Sequence, residues 1–60
     1  MIDKKEYEEA LAVVRKTKNA SITNLRNKML IGQSKATRLL DAMEYHGIIK
    51  TVNTKRKYIE

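Results

Sequence analysis

Apolar side chains in this chain fall at helical spacing as far as Met43, and the pattern changes after Gly47. Between residues 3 and about 16, Tyr7, Ala10, Leu11 and Val14 occupy positions i, i+3, i+4 and i+7, the series of an amphipathic helix. Asp3 and Glu6 head it as a D-x-x-E capping arrangement, both favourably placed at the positive end of the helix dipole. Lys16-Thr17-Lys18-Asn19 breaks the pattern. Ala20-Ser21-Ile22 reads as a short extended lead into a second helix, capped by Ser21 or Thr23 and facing inward through Leu25 and Met29. Ile31-Gly32-Gln33 predicts a tight turn with Gly32 at positive φ, followed by Ser34 as the N-cap of a third helix reaching about residue 46. This third helix buries Ala36, Leu39, Leu40 and Met43 and leaves Gln33, Lys35, Thr37, Arg38 and Asp41 on or near its outer face. Gly47 suits the C′ position, and residues 48–52 and 56–59 read as two strands of a hairpin around Asn53-Thr54-Lys55.

Two short helices about a tight turn follow helix-turn-helix grammar, and the hairpin adds a wing. The expected fold class is α+β: a winged helix-turn-helix of three helices with a C-terminal two-stranded β-hairpin wing. Sixty residues have room for one small core, so residues 1–60 read as one domain. Without cysteine, and with His46 as the sole histidine, neither a disulfide nor a structural metal site is expected, and no cofactor is implied. Packing then has to supply the whole stability, about 3–5 kcal/mol for a core of this size. No apolar run approaches the length of a membrane span, and the acidic start lacks the apolar stretch of a secretory signal; a cytoplasmic setting away from membranes is expected.

The distribution of charge narrows the function. Residues 1–14 carry two lysines against four acids, whereas residues 15–40 carry seven basic residues and no acid. A polyanion would meet the middle of the chain, and double-stranded DNA is the partner implied. Within this segment Arg26 and Lys28 face solvent or phosphate. Lys35 suits phosphate, since its point charge lacks a planar fork. Arg38 suits the bidentate pairing with guanine O6 and N7, its alternative being an ion pair with Asp41 or Glu44 on its own helix. Gln33 and Ser34 either read a base edge or cap the helix. Lys55, Arg56 and Lys57 at the hairpin tip are placed for the phosphate backbone. His46 suits a capping or dipole role at a helix C-terminus, and Tyr7, Tyr45 and Tyr58 are expected in packing roles. Asp41 and Glu44 are i, i+3 neighbours without a nucleophile or an enclosed pocket, so neither an enzyme nor a small-molecule substrate is expected.

Several pieces together resemble one family: Tyr7-Glu8-Glu9-Ala10 with Val14, Ala20-Ser21-Ile22 with Leu25, and Ile31-Gly32. Ala36 followed by Arg38-Leu39-Leu40-Asp41, Met43-Glu44 and Gly47-Ile48-Ile49 extend the likeness over most of the chain. The chain is similar to the FtsK gamma domain, the small winged-helix module at the C-terminus of bacterial DNA translocases. The resemblance implies recognition of short G-rich orienting sequences with the start of the third helix in the major groove, and contact with a tyrosine recombinase. Its base-reading positions correspond here to Ser34, Lys35, Arg38 and Asp41, where the family usually shows asparagine, arginine, arginine and an acid. Gln33 stands where tyrosine is typical, and the wing lacks the family's glycine-rich or proline-containing turn. No G-x-x-x-x-G-K-[ST] loop is present, so no P-loop nucleotide hydrolysis is expected from this chain. It reads as an excised domain or as a stand-alone relative from a phage, plasmid or other mobile element. DNA binding is the first functional reading. The alternative is a protein-interaction module whose acidic first helix or wing contacts a recombinase, a polymerase or a second copy of itself.

Overall fold

A computed structural model describes residues 3–60. Helix α1 (Lys4–Thr17) is followed by α2 (Ile22–Met29), α3 (Gln33–Tyr45) and the antiparallel strands β1 (Ile49–Val52) and β2 (Lys55–Tyr58), the layout of a winged helix. Asp3 caps α1 by accepting a hydrogen bond from the Lys5 amide at 2.9 Å. Ser21 caps α2 by accepting from the Asn24 amide at 3.0 Å, which resolves the choice between Ser21 and Thr23. Asn24 also ties the corner between α1 and α2, its side-chain amide donating to Thr17 Oγ1 at 2.9 Å and to the Asn19 carbonyl at 3.1 Å. At the other end of α3 the Gly47 amide donates to the Glu44 carbonyl and the Ile48 amide to that of Met43. This is a Schellman closure, and Gly47 supplies the positive φ, +79°, that it requires.

The turn before α3 departs from the sequence expectation. Gly32 has φ −77° and ψ 167°, an extended conformation open to any residue, and is itself the N-cap of α3. Ser34 therefore lies inside the helix. The positive φ falls on Leu30 (+55°), whose amide donates to the Arg26 carbonyl and closes α2. The reversal is made by ending α2 in a left-handed residue, leaving glycine free to take the extended conformation that an N-cap needs. Since glycine brings no side chain, α3 begins without a side-chain cap.

The core consists of Ala10, Val14, Ala20, Leu25, Ala36, Leu39, Leu40, Met43 and Ile49, with no buried polar side chain among the described residues. All four side chains assigned inward on α3 are there. Tyr7, Leu11, Met29 and Tyr58 close its edges half-buried. Burying each large aliphatic side chain contributes about 1.5–3 kcal/mol, so this cluster is the main stabilising feature of so short a chain.

The hairpin turns one residue earlier than expected. Asn53 and Thr54 alone form the loop, both at positive φ (+51° and +65°), and Lys55 belongs to β2 opposite Val52. Two consecutive positive-φ residues give the turn the twist that matches paired strands. Because opposite residues share a face, Ile49, Thr51, Arg56 and Tyr58 lie on one side of the ribbon and Lys50, Val52, Lys55 and Lys57 on the other.

Candidate nucleic-acid interface

With Ala36, Leu39, Leu40 and Met43 committed to the core, the helical period carries Ser34, Arg38, Asp41 and Tyr45 along the opposite stripe of α3. Arg38 is exposed, and among the described residues it has no ion-pair partner. The pairing with Asp41 or Glu44 that the spacing allowed is not made. Gln33 is exposed on one flank of the stripe, and Thr37 is half-buried beside it. Lys35 occupies the other flank, where its ammonium lies 2.8 Å from Glu6 Oε2. Glu6 thus reaches across to α3, and among the described residues the reciprocal half of the expected capping arrangement on α1 is not made.

Asp41 pairs with the wing. Its Oδ1 is 3.4 Å from Arg56 Nη2, a contact between residues fifteen apart in sequence that no helical spacing announces. The expected row of three cations at the hairpin tip is therefore divided. Lys55 and Lys57 are exposed on the outer face of the ribbon, while Arg56 turns inward beside Tyr58 and is only 25 % exposed. The register also sets Lys50 directly opposite Lys57, so the outer face carries Lys50, Lys55 and Lys57 together. Lys50 was missed in the sequence, although strict alternation along the strand was the signal for it. Opposed like charges destabilise a ribbon, which makes this face costly unless an anion meets it.

Arg26 and Lys28 stand exposed in the last turn of α2. They are not joined to the α3 stripe by any ion pair among the described residues. A shallow groove of about 300 Å³ separates the start of α2 from the wing and is lined by Ser21, Ile22, Thr54, Lys55 and Arg56. Tyr45 corrects the expectation that all three tyrosines pack: it is 86 % exposed and touches His46 edge-on at 5.2 Å. His46 is the C-cap of α3, as expected of its position, and also meets Tyr7 edge-on at 5.8 Å.

Three helices, a tight reversal before the third and a hairpin with a basic outer face define the protein as a winged helix-turn-helix module. No helix among the described residues is long and apolar enough to cross a membrane. Residues 2–57 match the Ftsk gamma domain, and the chain belongs to that family. It is 46 % identical over 43 residues to DNA translocase FtsK 2 of Neisseria meningitidis serogroup A, a match covering 72 % of this chain and 4 % of that protein. With DNA translocase FtsK of Pseudomonas syringae pv. tomato it shares 38 % identity over 48 residues, 80 % of this chain and 6 % of the relative. With that of Bacillus cereus it shares 37 % over 43 residues, 72 % of this chain and 5 % of the relative. The chain thus spans only a small fraction of the length of these relatives.

Proposed function

We propose that this module binds double-stranded DNA in a sequence-specific way, with α3 in the major groove and the outer face of the wing on the phosphate backbone, serving an orienting or regulatory role. The single observation that carries this reading is Arg38, a guanidinium without an ion-pair partner among the described residues, on the outward stripe of α3 and in a middle segment that has no acid between Arg15 and Leu40. Family membership and the names of the relatives as DNA translocases support it. On this reading Ser34, Gln33, Arg38 and Asp41 meet the groove, and Arg26, Lys28, Lys50, Lys55 and Lys57 neutralise phosphate. Lys35 joins them once it exchanges Glu6 for phosphate. The module acts by binding and catalyses nothing itself.

The test begins with selection of preferred sites from a random duplex pool. Titration of the selected duplex against salt should then give a slope of log K on log salt of about −4 to −5, the result of neutralising some four to six phosphates. Arg38→Ala should cost about 1–3 kcal/mol on the selected site and much less on a duplex altered at the guanine it reads. Arg38→Lys should recover charge without discrimination, because an ammonium cannot reproduce the two-donor fork. Equal losses on both duplexes would reduce Arg38 to a phosphate contact. A slope near zero would remove the DNA-binding reading and promote contact with a protein partner such as a recombinase.

A further inference from the structure

We propose that Arg56 is a positioning residue, a strut that ties the wing to α3 through Asp41 so that both elements meet a duplex as one rigid edge. The functional half of this inference rests on the DNA-binding reading above; the mechanical half does not.

Arg56 carries the charge of its neighbours but differs from them in face, exposure and partner. Lys55 and Lys57 are exposed on the outer face, whereas Arg56 lies on the inner face opposite Thr51. Its Nε is enclosed with no hydrogen-bond partner among the described residues, and Nη2 reaches Asp41 Oδ1. A guanidinium held this way has its Nε and one Nη2 donor turned toward the protein.

Asp41 supplies the complementary argument. It is 60 % exposed on the same stripe as Ser34 and Arg38, where an unpaired carboxylate would repel a polyanion. Arg56 neutralises it there. The wing, meanwhile, contributes Ile49 alone to the buried core, and a two-stranded ribbon has little stability of its own. Its angle to α3 is therefore set by few contacts, and Arg56 to Asp41 is the one ion pair among the described residues that joins the wing to α3.

The experiment uses Arg56→Ala, Asp41→Ala and the double variant, with Lys57→Ala as the outer-face control. In the free protein, hydrogen exchange at the β1 and β2 amides should accelerate about two- to fivefold in both single variants, the range for a partly exposed ion pair. The double variant should go no further than the more affected single one. Amides of α1 and α2 should keep their parent rates, which verifies that the variants fold, and Lys57→Ala, which relieves the repulsion from Lys50, should leave wing exchange no faster than in the parent. Unchanged wing exchange in Arg56→Ala overturns the strut whether or not DNA is bound. With a short mixed-sequence duplex as probe, both single variants should lose about two- to fivefold in affinity and Arg56→Ala should keep the parent salt slope. A slope reduced by about one in Arg56→Ala, together with tighter binding by Asp41→Ala, identifies Arg56 as a phosphate ligand and overturns the proposal. If the parent binds no duplex, the DNA-binding reading fails while the exchange measurements still decide the strut.

Discussion

Among the described residues, eight of the nine buried side chains lie between Ala10 and Met43, whereas the hairpin supplies only Ile49. The helical part is held by many interchangeable dispersion and burial terms, none of them dependent on one bond angle or charge. The wing depends on a few individual features: a loop of two positive-φ residues, Ile49 and Tyr58 against the helices, the contact from Arg56 to Asp41, and a fork between Arg15 and Glu60 just beyond β2. The difference teaches where this molecule can be adjusted. A winged module of this size can alter the setting of its wing through single surface residues while its helices stay folded.

The largest expected effect lies in the bundle. Leu40→Ala removes a fully buried side chain of α3 and should cost about 2–5 kcal/mol, comparable to the whole stability of so small a core. Urea denaturation followed by circular dichroism and by a wing-specific NMR signal should show both parts lost together. A cost below about 1 kcal/mol would break the contrast between the two regions, because the bundle would then tolerate a cavity as readily as the wing tolerates a surface change.

A smaller effect, of opposite sign, belongs to the turn. Thr54 is β-branched yet sits at φ +65°, a conformation in which a side chain is strained and glycine is not. Thr54→Gly should raise the stability of the hairpin by about 1 kcal/mol, read as a higher thermal midpoint and slower exchange in β1 and β2. Asn53→Gly should gain less, since asparagine tolerates left-handed geometry. A loss of stability in Thr54→Gly would mean that the hydroxyl, which donates to the Asn53 carbonyl at 2.5 Å, outweighs the strain.

The smallest effect is titrable. Glu60 accepts from Arg15 Nε at 2.5 Å and from Nη2 at 2.6 Å, and this hydrogen bonding holds its carboxyl below the ordinary value of 4.5. A carboxylate depressed in the folded state contributes stability that is fully present above its unfolded value and lost as pH falls through the folded one. The thermal midpoint should therefore decline from about pH 4.5 downward, and Glu60→Gln should flatten that portion of the profile. The pair is exposed, so the shift should be small and should shrink in high salt. An unaltered profile in Glu60→Gln would take this fork out of the set of features that hold the wing.

Much of the architecture was legible along the chain. The four buried positions of α3, the inward Leu25, a cap at Ser21 or Thr23 and the glycine closing α3 all follow from interactions within one helical turn, where spacing alone determines which side chains meet. Arg38 was also legible, because its exposure follows from the same period. The exposure of Tyr45 follows from that period too, since its position continues the stripe of Ser34, Arg38 and Asp41, and the period outweighs the usual preference of an aromatic for the core.

Tertiary structure alone decided the remainder. The sequence determined three helices, a hairpin, a basic middle segment and the face each helix buries, all properties of residues within a few positions of one another. It did not determine that Lys35 answers to Glu6 across twenty-nine positions, that Asp41 turns to Arg56 instead of Arg38, or that Arg56 leaves its two lysine neighbours and faces inward. Those outcomes depend on the register of two strands and on where packing sets the ribbon against α3. A one-residue change of register moves every side chain of a strand to the opposite face, so the loop at Asn53 and Thr54 decides which cations face outward.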